Sequence, residues 1–75
     1  MKVFYDSDVD ALYLRLGDEV PDGVVEISGE VNLDTTSEGR IVGIEILHAS
    51  TKFDIDTILT YSLDLNHSLL KKDVA

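Results

Sequence analysis

Tyr5-Asp6-Ser7-Asp8-Val9-Asp10-Ala11-Leu12-Tyr13-Leu14-Arg15-Leu16 is the stretch that decides the fold, because it couples a polar turn to a strictly alternating run. Leu12, Leu14 and Leu16 take one parity and Ala11, Tyr13 and Arg15 the other, the period of two expected of a half-buried β-strand. Asp6, Ser7 and Asp8 carry short side chains that bond nearby backbone N–H groups and so favour a turn. Lys2 to Tyr5, ahead of that turn, has strand composition, and the natural pairing is a hairpin.

Downstream, Glu38-Gly39-Arg40-Ile41-Val42-Gly43-Ile44-Glu45-Ile46-Leu47 repeats the arrangement of a polar turn followed by a β-rich run. Gly39 stands just before the returning strand, where a hairpin loop often needs a positive φ. Between the two segments, residues 17–23 hold the chain's single proline and two glycines, and mark a loop before the β-branched Val24, Val25 and Ile27. Ser28-Gly29 then interrupts the run, as a bulge within one strand or as a tight turn between two. Val31 and Leu33 alternate with Glu30, Asn32 and Asp34, which predicts another strand.

After Leu47 the pattern weakens. His48 to Lys52 is polar, and Asp54 or Asp56 is placed to cap a short helical turn through Leu59. Leu59, Tyr61, Leu63 and Leu65 then share one parity and favour a last strand, although the spacing Ile58, Tyr61, Leu65, Leu69 also permits a longer helix. The prediction is an α+β, mostly β chain: an antiparallel β-meander of four to five strands with a short helical segment in the C-terminal third. One small domain spans residues 1–75, with a core at 1–50, a helix or strand segment at 51–70 and a frayed tail at 71–75.

A chain of 75 residues buries only roughly 60% of the surface its unfolded form exposes, so the core must be thin. An exposed apolar second face would invite self-association, and a homo-oligomer or an obligate partner is expected. The 15 acidic and 6 basic residues give a net charge of −9, which opposes direct binding to nucleic acid and favours encounter with a basic protein. There are no cysteines, hence no disulfides or thiolate metal sites. With neither a signal-peptide apolar core nor a run near the ~20 residues of a membrane span, a cytoplasmic protein without membrane contact is expected.

Two stretches approach a calcium-loop consensus. Asp6, Asp8 and Asp10 supply its opening, but Ala11 stands where glycine is needed and Gly17 where a bidentate carboxylate is needed. Asp34, Thr36, Glu38, Gly39 and Glu45 match more positions, yet the flanks alternate with period two, so Glu45 belongs on a strand and cannot close a helix-loop-helix cage. Both read as solvated turns. His48 and His67 lie in polar segments without a Ser or Thr nucleophile and an orienting carboxylate arranged around them. No catalytic set, cofactor site or metal site is predicted, and the reading is a non-enzymatic protein-interaction module. The alternatives are a purely structural homo-oligomer, or a weak divalent-cation binder or enzyme built on the carboxylates around Asp6, Asp8 and Asp34.

The candidate interface is the sheet face opposite the leucines, to which Tyr5, Tyr13, Arg15 and Arg40 are assigned, with Tyr61 added from the C-terminal segment. Tyrosine and arginine are enriched at protein interfaces, although aromatic–arginine pairing on a wet sheet would use the same residues.

Tyr5-Asp6, Asp10-Ala11-Leu12-Tyr13-Leu14, Val31-Asn32-Leu33-Asp34 and Glu38 to Leu47 followed by x-Ala49-Ser50 resemble the small prokaryotic domain-of-unknown-function family 2283. The resemblance covers roughly the first 50 residues, and Gly39 to Ser50 is its most specific part. It implies a short, cytoplasmic, largely β protein with no established catalytic residues to carry over. Some members of that family are encoded beside small ribonuclease-like toxins, which implies an antitoxin-like, neutralising role. His48 departs from the acidic or amide residue expected before Ala49-Ser50.

Overall fold

In the computed structural model, which describes residues 1–60, five antiparallel strands form one sheet: β1 (Lys2–Asp6), β2 (Ala11–Arg15), β3 (Gly23–Ser28), β4 (Val31–Thr35) and β5 (Ile41–Ile46). A single 3₁₀ turn at Ala49–Thr51 and the short helix α1 (Ile55–Leu59) follow. Mostly β with a helical turn in the C-terminal third is the predicted class. The spatial order is β1-β2-β5-β4-β3. Three pairings join consecutive strands, as in a meander, whereas β2 pairs with β5 and the chain crosses to the far edge to begin β3.

The alternation of β2 fixes both faces. Leu12 and Leu14 lie opposite Tyr5 and Val3 on one side and Ile46 and Ile44 on the other, and β4 extends this face with Leu33 and Val31. Ala11, Tyr13 and Arg15 share the other face with Asp6, Phe4 and Lys2, and beyond them with Glu45, Gly43, Asn32 and Asp34. One face is thus aliphatic and the other polar.

Local turn chemistry accounts for the connections. The Asp8 N–H donates to Asp6 Oδ1 at 2.9 Å, the Asx turn read from Asp6-Ser7-Asp8. Ser28 pairs with Val31, so the break at Ser28-Gly29 is a tight turn between two strands, with a register shift between Glu26 and Ser28. Gly39 has φ +84°, in the left-handed region its position requires, and its N–H donates to the Thr36 carbonyl at 3.0 Å. Asp54 caps α1, its carboxylate accepting from the Asp56 N–H at 3.0 Å. Leu59, the first residue of the last strand expected from alternation, closes this helix instead; the capped turn governs its conformation more than parity with later leucines. The rest of that expected strand, the frayed tail and Tyr61 lie outside the described residues.

Burial is sparse. Among the described residues, Leu12, Val42 and Ala49 are the buried apolar side chains, and the elements that pack extensively on one another are neighbouring strands alone. Val3, Tyr5, Leu14, Val31, Leu33, Ile44 and Ile46 are half-buried, and Val25 is exposed. The core is thin, as chain length predicts: Leu12, at the centre of the aliphatic face, is fully buried, while its neighbours on that face stay partly accessible.

Candidate functional site

Three polar clusters tie the sheet together, and each joins residues distant in sequence. The first is centred on Asp10, which ends the β1–β2 turn with φ +54°, a left-handed conformation that Asp tolerates better than most residues. Its carboxylate accepts from the Tyr5 hydroxyl at 2.7 Å and from the Ser50 hydroxyl at 2.7 Å, with the Ser50 N–H at 3.1 Å. Its backbone carbonyl accepts from the Ala49 N–H at 3.0 Å. Asp10 therefore fastens the first turn to a segment forty positions later. The Tyr5 hydroxyl, then Ser50, stabilise the ionised form and hold the Asp10 carboxyl below its usual range, while the same bond to Asp10 pushes the Tyr5 hydroxyl up.

The second cluster spans three strands on the polar face. The Tyr13 hydroxyl donates to Asp34 Oδ2 at 2.8 Å, crossing β5 to reach β4. Gly43 lies beneath it, and a Cβ at that position would collide with the Tyr13 hydroxyl and ring. The bond to Asp34 raises the Tyr13 hydroxyl pKa above its ordinary value.

The third cluster is ionic. Glu30 Oε2 lies 2.6 Å from Lys52 Nζ and 2.8 Å from His48 Nδ1, and Lys52 Nζ also donates to the Leu47 carbonyl at 3.0 Å. Lys52 first and His48 second lower the Glu30 carboxyl pKa. His48 has φ +50°, the left-handed conformation from which the chain enters the 3₁₀ turn. Its imidazole is two-thirds exposed and faces a carboxylate, with no nucleophile bonded to it among the described residues.

The predicted interface residues do not form one group. Tyr13 and Arg15 share the polar face, as expected. Tyr5 does not: it pairs with Leu12 and lies on the aliphatic face. The four residues between β1 and β2 set that register, and a shift of one would have reversed every side chain of β1. Arg40 precedes β5 in the turn and makes a 3.2 Å ion pair with Glu19 across the surface. Sequence reasoning missed Asp10, Ser50 and Gly43 as structural anchors. The signal was present in the resemblance, where Tyr5, Asp10 and Ala49-Ser50 stand far apart along the chain and meet in space.

Among the described residues no group of three or more His, Cys, Asp or Glu side chains is placed to hold a metal ion, and no helix is long and apolar enough to cross a membrane. The Asp6-Asp8-Asp10 run illustrates the first point, since Asp6 and Asp10 are engaged by a backbone N–H and by hydroxyls respectively. A shallow depression of about 490 Å³ runs beside β1 and β2, lined in part by Phe4, Val9, Tyr13 and Glu45. Its lining is mostly apolar side chains with no convergent reactive groups.

No curated protein and no solved structure matches the chain. A family described as a protein of unknown function, DUF2283, matches residues 2–50, a span that contains all five strands and ends on Ser50 of the Asp10 cluster. The chain belongs to the DUF2283 family.

Proposed function

We propose that this protein is a non-enzymatic interaction module that binds a basic protein partner through the aliphatic face of its sheet. The observation that carries the reading is the scarcity of buried apolar side chains among the described residues beside a face built from Val3, Leu14, Val25, Val31, Leu33, Ile44 and Ile46. An apolar sheet face of this extent gains free energy from being covered, at about 25 cal/mol per Å² of apolar surface removed from water. The net charge of −9 favours a basic partner over an acidic one and speeds its approach. An antitoxin-like role, in which the partner is a small basic toxin, is the specific form this reading takes.

The test is the mass in solution of the purified chain mixed with the product of the adjacent gene, measured by light scattering. A stoichiometric complex, weakened by Val25→Glu on the exposed part of the aliphatic face, supports the reading. A mixture that elutes as two unassociated species counts against it.

A further inference from the structure

We infer that the chain forms a two-fold homodimer through the outer edge of β1, Lys2-Val3-Phe4-Tyr5-Asp6, paired antiparallel with the same strand of a second copy. The inference goes beyond the basic-partner reading, because it uses the sheet's edge and needs no second protein. β1 and β3 are the two edge strands, and among the described residues nothing pairs with the outer side of either. Unpaired edges present backbone N–H and C=O groups to any matching strand unless something blunts them.

The two edges differ. β3 is interrupted by the register shift between Glu26 and Ser28, and a bulge of this kind is one of the devices that protect an edge. β1 is regular: five consecutive residues pair with β2 without a shift. Phe4, at its centre, is 51% exposed.

The order of side chains along β1 decides the partner. A two-fold axis through Phe4 sets Lys2 opposite Asp6 of the second copy and Asp6 opposite its Lys2, with Val3 opposite Tyr5 and Phe4 opposite Phe4. Both charged pairs are of opposite sign, and cross-strand pairs of that kind stabilise a sheet. Centring the axis on Val3 or Tyr5 instead would leave a charge facing Phe4. Within one chain Lys2 lies opposite Arg15, a like-charged neighbour, and among the described residues neither forms an ion pair. The second copy's Asp6 reaches Lys2 from the open side and offsets that repulsion. A two-fold axis perpendicular to the sheet keeps like faces together, so the two five-stranded sheets become one sheet whose aliphatic face is continuous.

Light scattering of the isolated protein, followed by sedimentation equilibrium, tests the inference on Lys2→Glu, Asp6→Lys and the double exchange Lys2→Glu/Asp6→Lys. Circular dichroism verifies that each variant keeps its strands. The wild type is expected at twice the 8.3 kDa of one chain. Each single reversal should raise the dissociation constant about ten- to a hundredfold by replacing two attractive pairs with two repulsive ones, and the double exchange should restore it. Asp6→Asn separates the charge from the turn, since an amide still accepts from the Asp8 N–H while losing the attraction to Lys2. A wild type that remains monomeric at millimolar concentration overturns the inference, with Lys2 and Asp6 then serving as edge guards. A dimer insensitive to both reversals, or one the double exchange fails to restore, overturns it equally by placing self-association elsewhere. Neither result bears on whether a basic protein binds the aliphatic face, which is read from the mixed sample instead.

Discussion

The hydroxyl of Tyr13 on β2 donates to the carboxylate of Asp34 on β4 over 2.8 Å, passing across the backbone of β5 at Gly43. A hydrogen bond that skips a strand is available because the intervening residue has no side chain. Three residues from three strands thus form one unit, and substitution of any one is felt by the others.

Gly43→Ala should destabilise the fold by about 1–3 kcal/mol, the usual cost of forcing extra volume into a closed contact. The added methyl has to displace the Tyr13 ring and break its bond to Asp34. Tyr13→Ala removes the obstacle, so urea denaturation of Gly43→Ala/Tyr13→Ala should show a smaller loss than the sum of the two single variants. Strict additivity would mean that the ring does not occupy the space above Gly43.

Asp10 combines an acceptor role with a left-handed backbone, and two substitutions separate them. Asp10→Asn retains a residue suited to φ +54° but faces two hydroxyls and an N–H with a weaker acceptor and an unwanted donor. Asp10→Ala loses the acceptor and adds backbone strain. Thermal unfolding should rank the wild type above Asp10→Asn and Asp10→Asn above Asp10→Ala, and a Ser50→Ala change should matter less in either variant than in the wild type.

The ionisation of the clusters makes stability depend on pH at both ends. Asp10 and Glu30 have folded-state pKa values below their unfolded ones, so their contribution is complete above the ordinary carboxylate range and is lost as pH falls through the lowered values. Tyr5 and Tyr13 are shifted upward, so theirs is complete below the ordinary tyrosine pKa and is lost as pH rises through the raised values. Chemical denaturation across the acid range should therefore show a shallower fall in stability for Asp10→Asn than for the wild type. The alkaline loss should be diminished in Tyr13→Phe.

Gly39→Ala should lower stability by about 1 kcal/mol through strain at φ +84° alone, because nothing stands within 4 Å of the position a Cβ would take. Asn, which tolerates the left-handed region, should recover part of that loss. An unchanged melting temperature for the alanine variant would mean that the turn relaxes without cost.

Much of this fold was legible because β2 states its own period. Leu12 and Leu14 against Tyr13 and Arg15 gave both faces of the sheet, and Asp6-Ser7-Asp8, Gly39 and Asp54 each announced a turn or cap through a local bond that needs no knowledge of the rest of the chain. Tyr5 was assigned to the wrong face because its orientation depends on turn length as well as on composition. The polar parity of Lys2 and Asp6, which leaves Val3 and Tyr5 on the aliphatic side, was the available signal. The pairing of β2 with β5 and the bonds from Asp10 to Ser50 are long-range contacts, and single-sequence periodicity carries no term for them. They surfaced only as residues within the resemblance, without the geometry that joins them.

The placement of β5 has a consequence for how the chain comes into being. Among the described residues it is the last strand in sequence and the middle one in space, and the one strand that pairs with both the β1–β2 hairpin and the β3–β4 hairpin. Isolated two-stranded hairpins are marginal in water. During synthesis, then, neither hairpin should gain its sheet partner until residues 41–46 have left the ribosome, and the sheet should close around that strand. A nascent chain halted before Ile41 should be open to protease along its length, and one extended past Ser50, with the clasp to Asp10 in place, should resist digestion all at once.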